Sequence, residues 1–125
     1  MKIRVYYEDT DAGGVVYHSN YLNFCERARS EIFFKEQLLP EFGGGFFVVK
    51  SLSADFKAPA KLGDELVVKS ELERIKRASF SMRHSIYRGD EVLFTMSVKL
   101  GYIKADGSIG ILSESERQLL AELFQ

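Results

Sequence analysis

Apolar and polar positions along the chain follow two different periods, and the change from one to the other outlines the domain. From about Ser19 to Glu36 the apolar residues Tyr21, Phe24, Cys25, Ala28 and Ile32 fall on one face of a 3.6-residue repeat, which predicts an amphipathic helix. Glu26, Arg27, Arg29 and Ser30 lie elsewhere on the wheel, so one side is expected to be wet. Ser19 or Asn20 is suited to cap its start, and Pro40 with Gly43-Gly44-Gly45 stops helical structure. Beyond that point the period drops to two. Phe46, Val48, Leu52, Ala54 and Phe56 alternate with polar neighbours, as do Leu66, Val68 and Leu72, then Phe80, Met82 and Ile86, then Val92 through Tyr102. These four runs predict strands with one buried face, broken at Pro59, Gly63-Asp64, Ile75 to Ala78 and Gly89-Asp90 and therefore joined as antiparallel neighbours. Ile3 to Tyr7 predicts a short first strand. Ser113 with Glu116 forms a capping-box pattern ahead of Leu119, Leu120 and Leu123 in a final helix.

A long helix followed by long antiparallel strands is best buried by wrapping the apolar face of the sheet around the helix. The expected class is α+β, one domain over residues 1–125, with the long helix between the first and second strands. Apolar content of 46% with 28% charged residues fits a globular chain, and a net charge of −1 argues against general nucleic-acid binding, which needs many cations. The single cysteine, Cys25, excludes an internal disulfide and fits a reducing compartment. Lys2-Ile3-Arg4 opens the chain without the apolar run of a signal peptide, and no stretch is long and apolar enough for membrane insertion, so the expected location is cytoplasmic.

Candidate chemistry concentrates from Tyr6 to Tyr21, where Glu8, Asp9 and Asp11 crowd together, Gly13-Gly14 follow, and His18 stands just ahead of the helical pattern. Crowded carboxylates repel, and shielding one from water favours a basic or nucleophilic role. Glycines let the backbone turn sharply and present N–H groups, and a nearby helix start adds to a site for a developing oxyanion. Taken alone, Asp11 in Asp-Ala-Gly-Gly reads first as a turn residue, and His18 as a surface or capping histidine. An Asp-x-Asp opening also begins a calcium loop. Here Gly13 stands at the fifth position, where an oxygen side chain belongs, and Asn20 at the twelfth, where a bidentate Glu belongs, so a calcium site is rejected and no metal is expected. Cys25 beside His18 suggests a thiol nucleophile, but it shares the apolar face with Phe24 and Ala28, which marks a buried structural thiol. Lys76 and Arg77 lie between two strands with Arg74 and Ser79 close by. A solvated hairpin tip explains them, and so does a phosphate-bearing ligand.

The string from Asp9 to Arg29, Asp-Thr-Asp-Ala-Gly-Gly-Val-Val-Tyr-His-Ser-Asn-Tyr-Leu-Asn-Phe-Cys-Glu-Arg-Ala-Arg, resembles the opening of hotdog-fold acyl-CoA thioesterases. The similarity is greatest to the YbgC-like, Tol–Pal-associated branch of the 4-hydroxybenzoyl-CoA thioesterase family, and it extends to Arg77-Ala-Ser-Phe-Ser-Met-Arg-His-Ser. The resemblance implies a hotdog fold: a five-stranded antiparallel sheet wrapped around a long central helix, with a short C-terminal helix. It implies hydrolysis of an acyl-coenzyme A thioester to a free acid and coenzyme A. Asp11 then matches the catalytic carboxylate, as nucleophile or as general base, and His18 orients or polarises the thioester carbonyl. Tyr7 is expected to line the same site. Backbone amides of Val16, Tyr17 and His18 are expected to hold the oxyanion, and Asp9 to shape the loop. The matching coenzyme A contacts are Lys76, Arg77 and Ser79, with Lys57 and Lys61 as weaker candidates. Coenzyme A is part of the substrate, and no cofactor is expected.

Family members pair their sheets into homodimers and often homotetramers, so a homo-oligomer is expected, with Tyr21 and Phe24 lining an acyl pocket between the helix and a neighbouring subunit. The branch also implies links to acyl carrier protein, phospholipid synthesis or envelope-associated proteins. Two other functions compete. Hotdog dehydratases act on 3-hydroxyacyl thioesters through a histidine in a different motif, and a non-catalytic module would bind acyl-CoA without releasing thiol.

Overall fold

The computed structural model describes residues 1–125 and contains two helices and six strands. In chain order these are β1 (Lys2–Arg4), α1 (His18–Phe34), β2 (Glu41–Phe42), β3 (Gly45–Phe56), β4 (Glu65–Ile75), β5 (Ser79–Arg88), β6 (Glu91–Ile103) and α2 (Glu114–Leu123). All the strands pair antiparallel in one sheet of order β1-β4-β5-β6-β3-β2. The sheet curls around α1 in the expected hotdog architecture, with six strands in place of five. The extra one is β2, two residues that turn through Gly43-Gly44 onto the start of β3.

One face of the sheet and one face of α1 make a continuous apolar core. Tyr21, Phe24, Cys25, Ala28 and Phe33 of the helix are buried with Phe80, Met82 and Ile86 of β5 and Phe94, Met96, Val98 and Leu100 of β6. Tyr21 stacks on Phe94 at 5.1 Å between centroids, and Phe33 meets Phe124 beyond α2 edge-on at 5.5 Å. The Ser113 capping box forms as expected: Glu116 N–H donates to Ser113 Oγ at 3.1 Å, and Ser113 N–H donates to Glu116 Oε1 at 2.8 Å.

Three boundaries differ from the expected ones, each for a local reason. β1 ends at Arg4, because Val5 N–H turns to the Asp64 carbonyl and Tyr7–Asp9 winds into a 3-10 turn. α1 starts at His18 behind Tyr17; Ser19 and Asn20 lie inside it, and the Asn20 amide is drawn to Asp9. α1 ends at Phe34, where Gln37 takes a left-handed φ of 59° and the Leu38 N–H returns to the Phe33 carbonyl at 3.0 Å.

Two consequences position the site. First, the eleven residues of β4 hold the two ends of the sheet about 35 Å apart, at roughly 3.3 Å per residue. β1, the start of α1 and Phe56 lie at one end; the turn 76–78, the start of β3 and Tyr102 lie at the other. Second, β2 covers β3 only at Gly45 and Phe46, so the rest of that edge is unpaired, with Val49, Leu52 and Phe56 exposed on the same strand.

Candidate active site

The stretch from Tyr6 to Tyr21 is built on Asp9, not on Asp11. Asp9 is only 4% exposed; its carboxylate accepts the Tyr6 N–H at 2.9 Å and the Asn20 side-chain amide at 3.0 Å, and its carbonyl accepts the Tyr17 N–H at 2.8 Å. A buried carboxylate is tolerated when its oxygens are filled in this way. The shielded carboxylate of the acidic trio is therefore the one that shapes the loop. Between its two ends the chain makes a small hairpin, with Thr10 bridged to Val16 and Val15 bridged to Lys61.

Asp11 sits at the tip of this hairpin, exposed. Its Oδ1 accepts the Gly13 N–H at 2.8 Å and its carbonyl accepts the Gly14 N–H at 3.1 Å, with Gly14 at a φ of 81° that only glycine adopts easily. The two glycine amides thus hold the aspartate's own turn and do not face a ligand. Among the amides expected to hold an oxyanion, Val16 N–H donates to the Ala60 carbonyl at 2.9 Å and Tyr17 N–H to Asp9. Both are committed to the fold, which corrects the expectation for Val16 and Tyr17. His18 remains: it opens α1, where first-turn amides have no intrahelical acceptor, and neither its N–H nor that of Ser19 takes a loop or cap partner.

His18 lines a cleft of about 240 Å³ together with Val16, Tyr21, Phe56, Lys57, Ala58 and Pro59. The same hairpin that carries Asp11 returns through Val16 into this wall. Tyr21 supports it from below, its hydroxyl accepting the buried Ala60 N–H at 3.0 Å, so Ala60 is fixed through both its N–H and its carbonyl. Phe24 is fully buried in the core and does not reach the cleft. Tyr7 stands on the 3-10 turn, 81% exposed, and Tyr17 leans on the His18 ring at 4.4 Å.

The expected coenzyme A contacts lie at the far end of the sheet. Lys76 lines an all-polar groove with Glu73, Arg74, Ser81 and Lys99. Ser79 is buried, its carbonyl holding the Lys76 N–H at 2.7 Å, and it faces a second groove beside Lys50 and Lys99. Arg77 is exposed on the turn, where its carbonyl anchors Leu112. Lys50, Arg74, Lys76, Arg77 and Lys99 form no ion pair, the three pairs in the molecule being those of Arg4 and Arg88. Within one chain, then, Asp11 and His18 share an end of the molecule, and Lys76, Arg77 and Ser79 do not join them.

A further polar group lies under α1. His84 is fully buried on the inward face of β5, its Nδ1 2.8 Å from Ser70 Oγ and its Nε2 3.2 Å from Arg29 Nη1. Burial, and then the Arg29 charge, press its pKa down to about 3, so the ring is neutral. Since a guanidinium can only donate, Nε2 is the acceptor and Nδ1 carries the proton toward Ser70. The sequence places Arg29 on the wet side of the helix, but the period-two run Phe80, Met82, His84, Ile86 already carries His84 inward. Cys25 is also fully buried, its thiol pushed up to about 12 by desolvation, and is structural as its position on the wheel predicts. No group of three His, Cys, Asp or Glu side chains is placed to hold a metal ion.

Comparison with known proteins agrees with this architecture. Residues 13–95 match the model of the Thioesterase superfamily (4HBT), a match that begins two residues after Asp11. The chain is 51% identical over 87 residues to the Acyl-CoA thioesterase YbgC of Helicobacter pylori; that stretch spans 70% of this chain and 65% of the relative. It is 44% identical over 105 residues to the protein of that name in Haemophilus influenzae, covering 81% of this chain and 77% of the other. Among solved structures, a "Probable Thioesterase" from Bartonella henselae superposes with a TM-score of 0.84 at 34% identity, over 90% of this chain and 97% of that one. A core built on one wrapped helix, a matching family model over most of its length, and these relatives together establish that the chain belongs to the thioesterase superfamily.

Proposed function

We propose that the protein hydrolyses an acyl-coenzyme A thioester to the free acid and coenzyme A. The observation that carries this reading is that the hairpin bearing the exposed carboxylate of Asp11 runs directly into the open first turn of α1 at His18, which lines a mostly apolar cleft. The names of the relatives supply the substrate class. Thiolate is a good leaving group, with a thiol pKa of about 8.5, so the reaction asks for an attacking group and a cradle for the oxyanion. Asp11 supplies the first, by direct attack on the carbonyl or by deprotonating water. The His18 amide, at the positive end of α1, supplies the second, and the His18 ring polarises the carbonyl. Tyr7 lines the approach.

One chain leaves this machinery open to water and some 35 Å of sheet away from Lys76, Arg77 and Ser79, by the ~3.3 Å rise of the strands. A homodimer resolves both. The free edge of β3 carries exposed Val49, Leu52 and Phe56, and an uncovered edge of that kind is a pairing surface. Antiparallel pairing of two β3 edges about a two-fold axis sets the Gly45 end of one subunit beside the Phe56 end of the other. The cations of one subunit would then approach the Asp11 and His18 of its partner, where they suit the phosphates of coenzyme A. Tetramer formation, a cytoplasmic location and links to acyl carrier protein or envelope proteins stay with this reading as expectations of the branch.

The test is thiol release over an acyl-CoA panel, with Asp11→Asn run in parallel. Turnover by the wild-type chain that falls at least about a hundredfold in the variant is expected; equal turnover in both would sink the assignment. The dehydratase alternative would show as enoyl absorbance from 3-hydroxyacyl substrates, and the binding-module alternative as saturable binding without thiol release.

A further inference from the structure

The second cleft of the molecule lies between the C-terminal half of α1 and the sheet, with a volume of about 200 Å³. Phe33, Phe47, Val49, Phe80 and Leu100 give it apolar walls, and Arg29 stands among them. Arg29 belongs to none of the ion pairs. Its one side-chain bond is to the neutral ring of His84, which Ser70 holds in turn. A mostly buried guanidinium is normally matched by a carboxylate, because taking its charge from water is costly. Arg29 hydrogen-bonds only to a neutral partner, and the one carboxylate of the cleft, Glu26, acts on it through space without a bond. No buried side-chain nitrogen in the molecule lacks a hydrogen bond, so the remaining Arg29 nitrogens reach accessible surface, and Arg29 is one of the residues that line the cleft. Glu26 is the one carboxylate among the lining residues; it is exposed, and its Oε1 accepts the Ser30 hydroxyl at 2.9 Å.

We infer that this cleft is a binding subsite for a small organic acid, its carboxylate held by Arg29 and its apolar body by the phenylalanine walls. The Ser70–His84 pair acts as a positioning device: it fixes one edge of the guanidinium and leaves the other donors for the ligand, in the planar geometry that a carboxylate matches. At about 30 Å³ per water molecule the space equals six or seven waters, the size of one ring or a short chain. This is the class of acid that the proposed hydrolysis releases, but the assignment stands on the cleft alone and does not require that activity.

Binding of benzoate and hexanoate to the intact wild-type protein, measured by calorimetry against benzamide and hexanamide, separates a carboxylate site from a merely apolar one. The acids should bind at least about tenfold more tightly than their amides, the difference expected for charge-assisted hydrogen bonds. Arg29→Gln, which keeps length and removes charge, should abolish that preference, whereas Asp11→Asn should retain it. Preference retained in Asp11→Asn with no turnover anywhere would uphold the subsite while rejecting the hydrolase. Equal binding of acid and amide by the wild-type protein, no saturable binding of either acid, or a preference lost with Asp11 and kept in a folded Arg29→Gln protein would each overturn the inference. The wild-type comparison decides the matter even if Arg29→Gln does not fold.

Discussion

Asp9 and Asp11 stand two residues apart and do opposite things. Asp9 is buried, with its carboxylate and carbonyl oxygens engaged by Tyr6, Asn20 and Tyr17; Asp11 is exposed and uses one oxygen to close its own turn. The contrast extends to their surroundings. Below the hairpin, the hydrogen-bonding groups of Asp9, Tyr21 and Ala60 are all engaged in folding, while above it the second carboxylate oxygen of Asp11 and the first-turn amide of His18 have no partner within the chain. A rigid base of satisfied polar groups is what lets a carboxylate be held in place without being neutralised by its own neighbours.

Substitutions can separate the two halves. The largest effect is expected on turnover from Asp11→Asn, a fall of at least about a hundredfold with an unchanged melting temperature. Asp9→Ala should do the reverse first, destabilising the fold by about 2–3 kcal/mol in denaturant unfolding, because it leaves the part-buried Tyr6 N–H and Asn20 amide without their acceptor, and losing activity only as the hairpin loosens. A pH series extends the folding half to the core. His84 is neutral when folded, with a pKa lowered from 6.5 to about 3, whereas the unfolded chain takes up that proton below pH 6.5. Its contribution is therefore full above pH 6.5 and is lost as pH falls toward 3, by about 1.4 kcal/mol per unit. His84→Gln should lack that component of the slope. Tyr21→Phe removes the acceptor for the Ala60 N–H and should cost about 1–2 kcal/mol, with a further drop in turnover if the 58–60 wall of the cleft shifts. The smallest change is expected from Gln37→Gly at the far end of α1: stability should rise by up to about 1 kcal/mol, since glycine accepts the left-handed φ of 59° freely, and turnover should not move.

Much of this was legible in the sequence because period and punctuation are local. The 3.6-residue repeat from Tyr21 to Ala28 and the alternation from Phe80 to Ile86 specify a helix and a strand without knowledge of their partners, and Ser113 with Glu116 specifies a cap. What escaped depends on distant contacts. The amide of Val16 is taken by the carbonyl of Ala60, forty-four positions along the chain, which no local pattern announces. Asn20 reads as a cap until Asp9 claims it, and β2 is too short for alternation to register. Arg29 reads as a solvent-facing charge because its neighbours Glu26 and Ser30 are polar; only the register of β5 brings His84 beneath it.

The sealed position of Cys25 also has a practical outcome. With no exposed surface and a thiol raised to about 12, it stays silent toward thiol-trapping dyes while the protein is folded, so colour in a coenzyme A release assay reports the leaving group alone. Unfolding exposes it, and the chain thereby carries its own chemical label for the denatured state, one sulfhydryl per molecule.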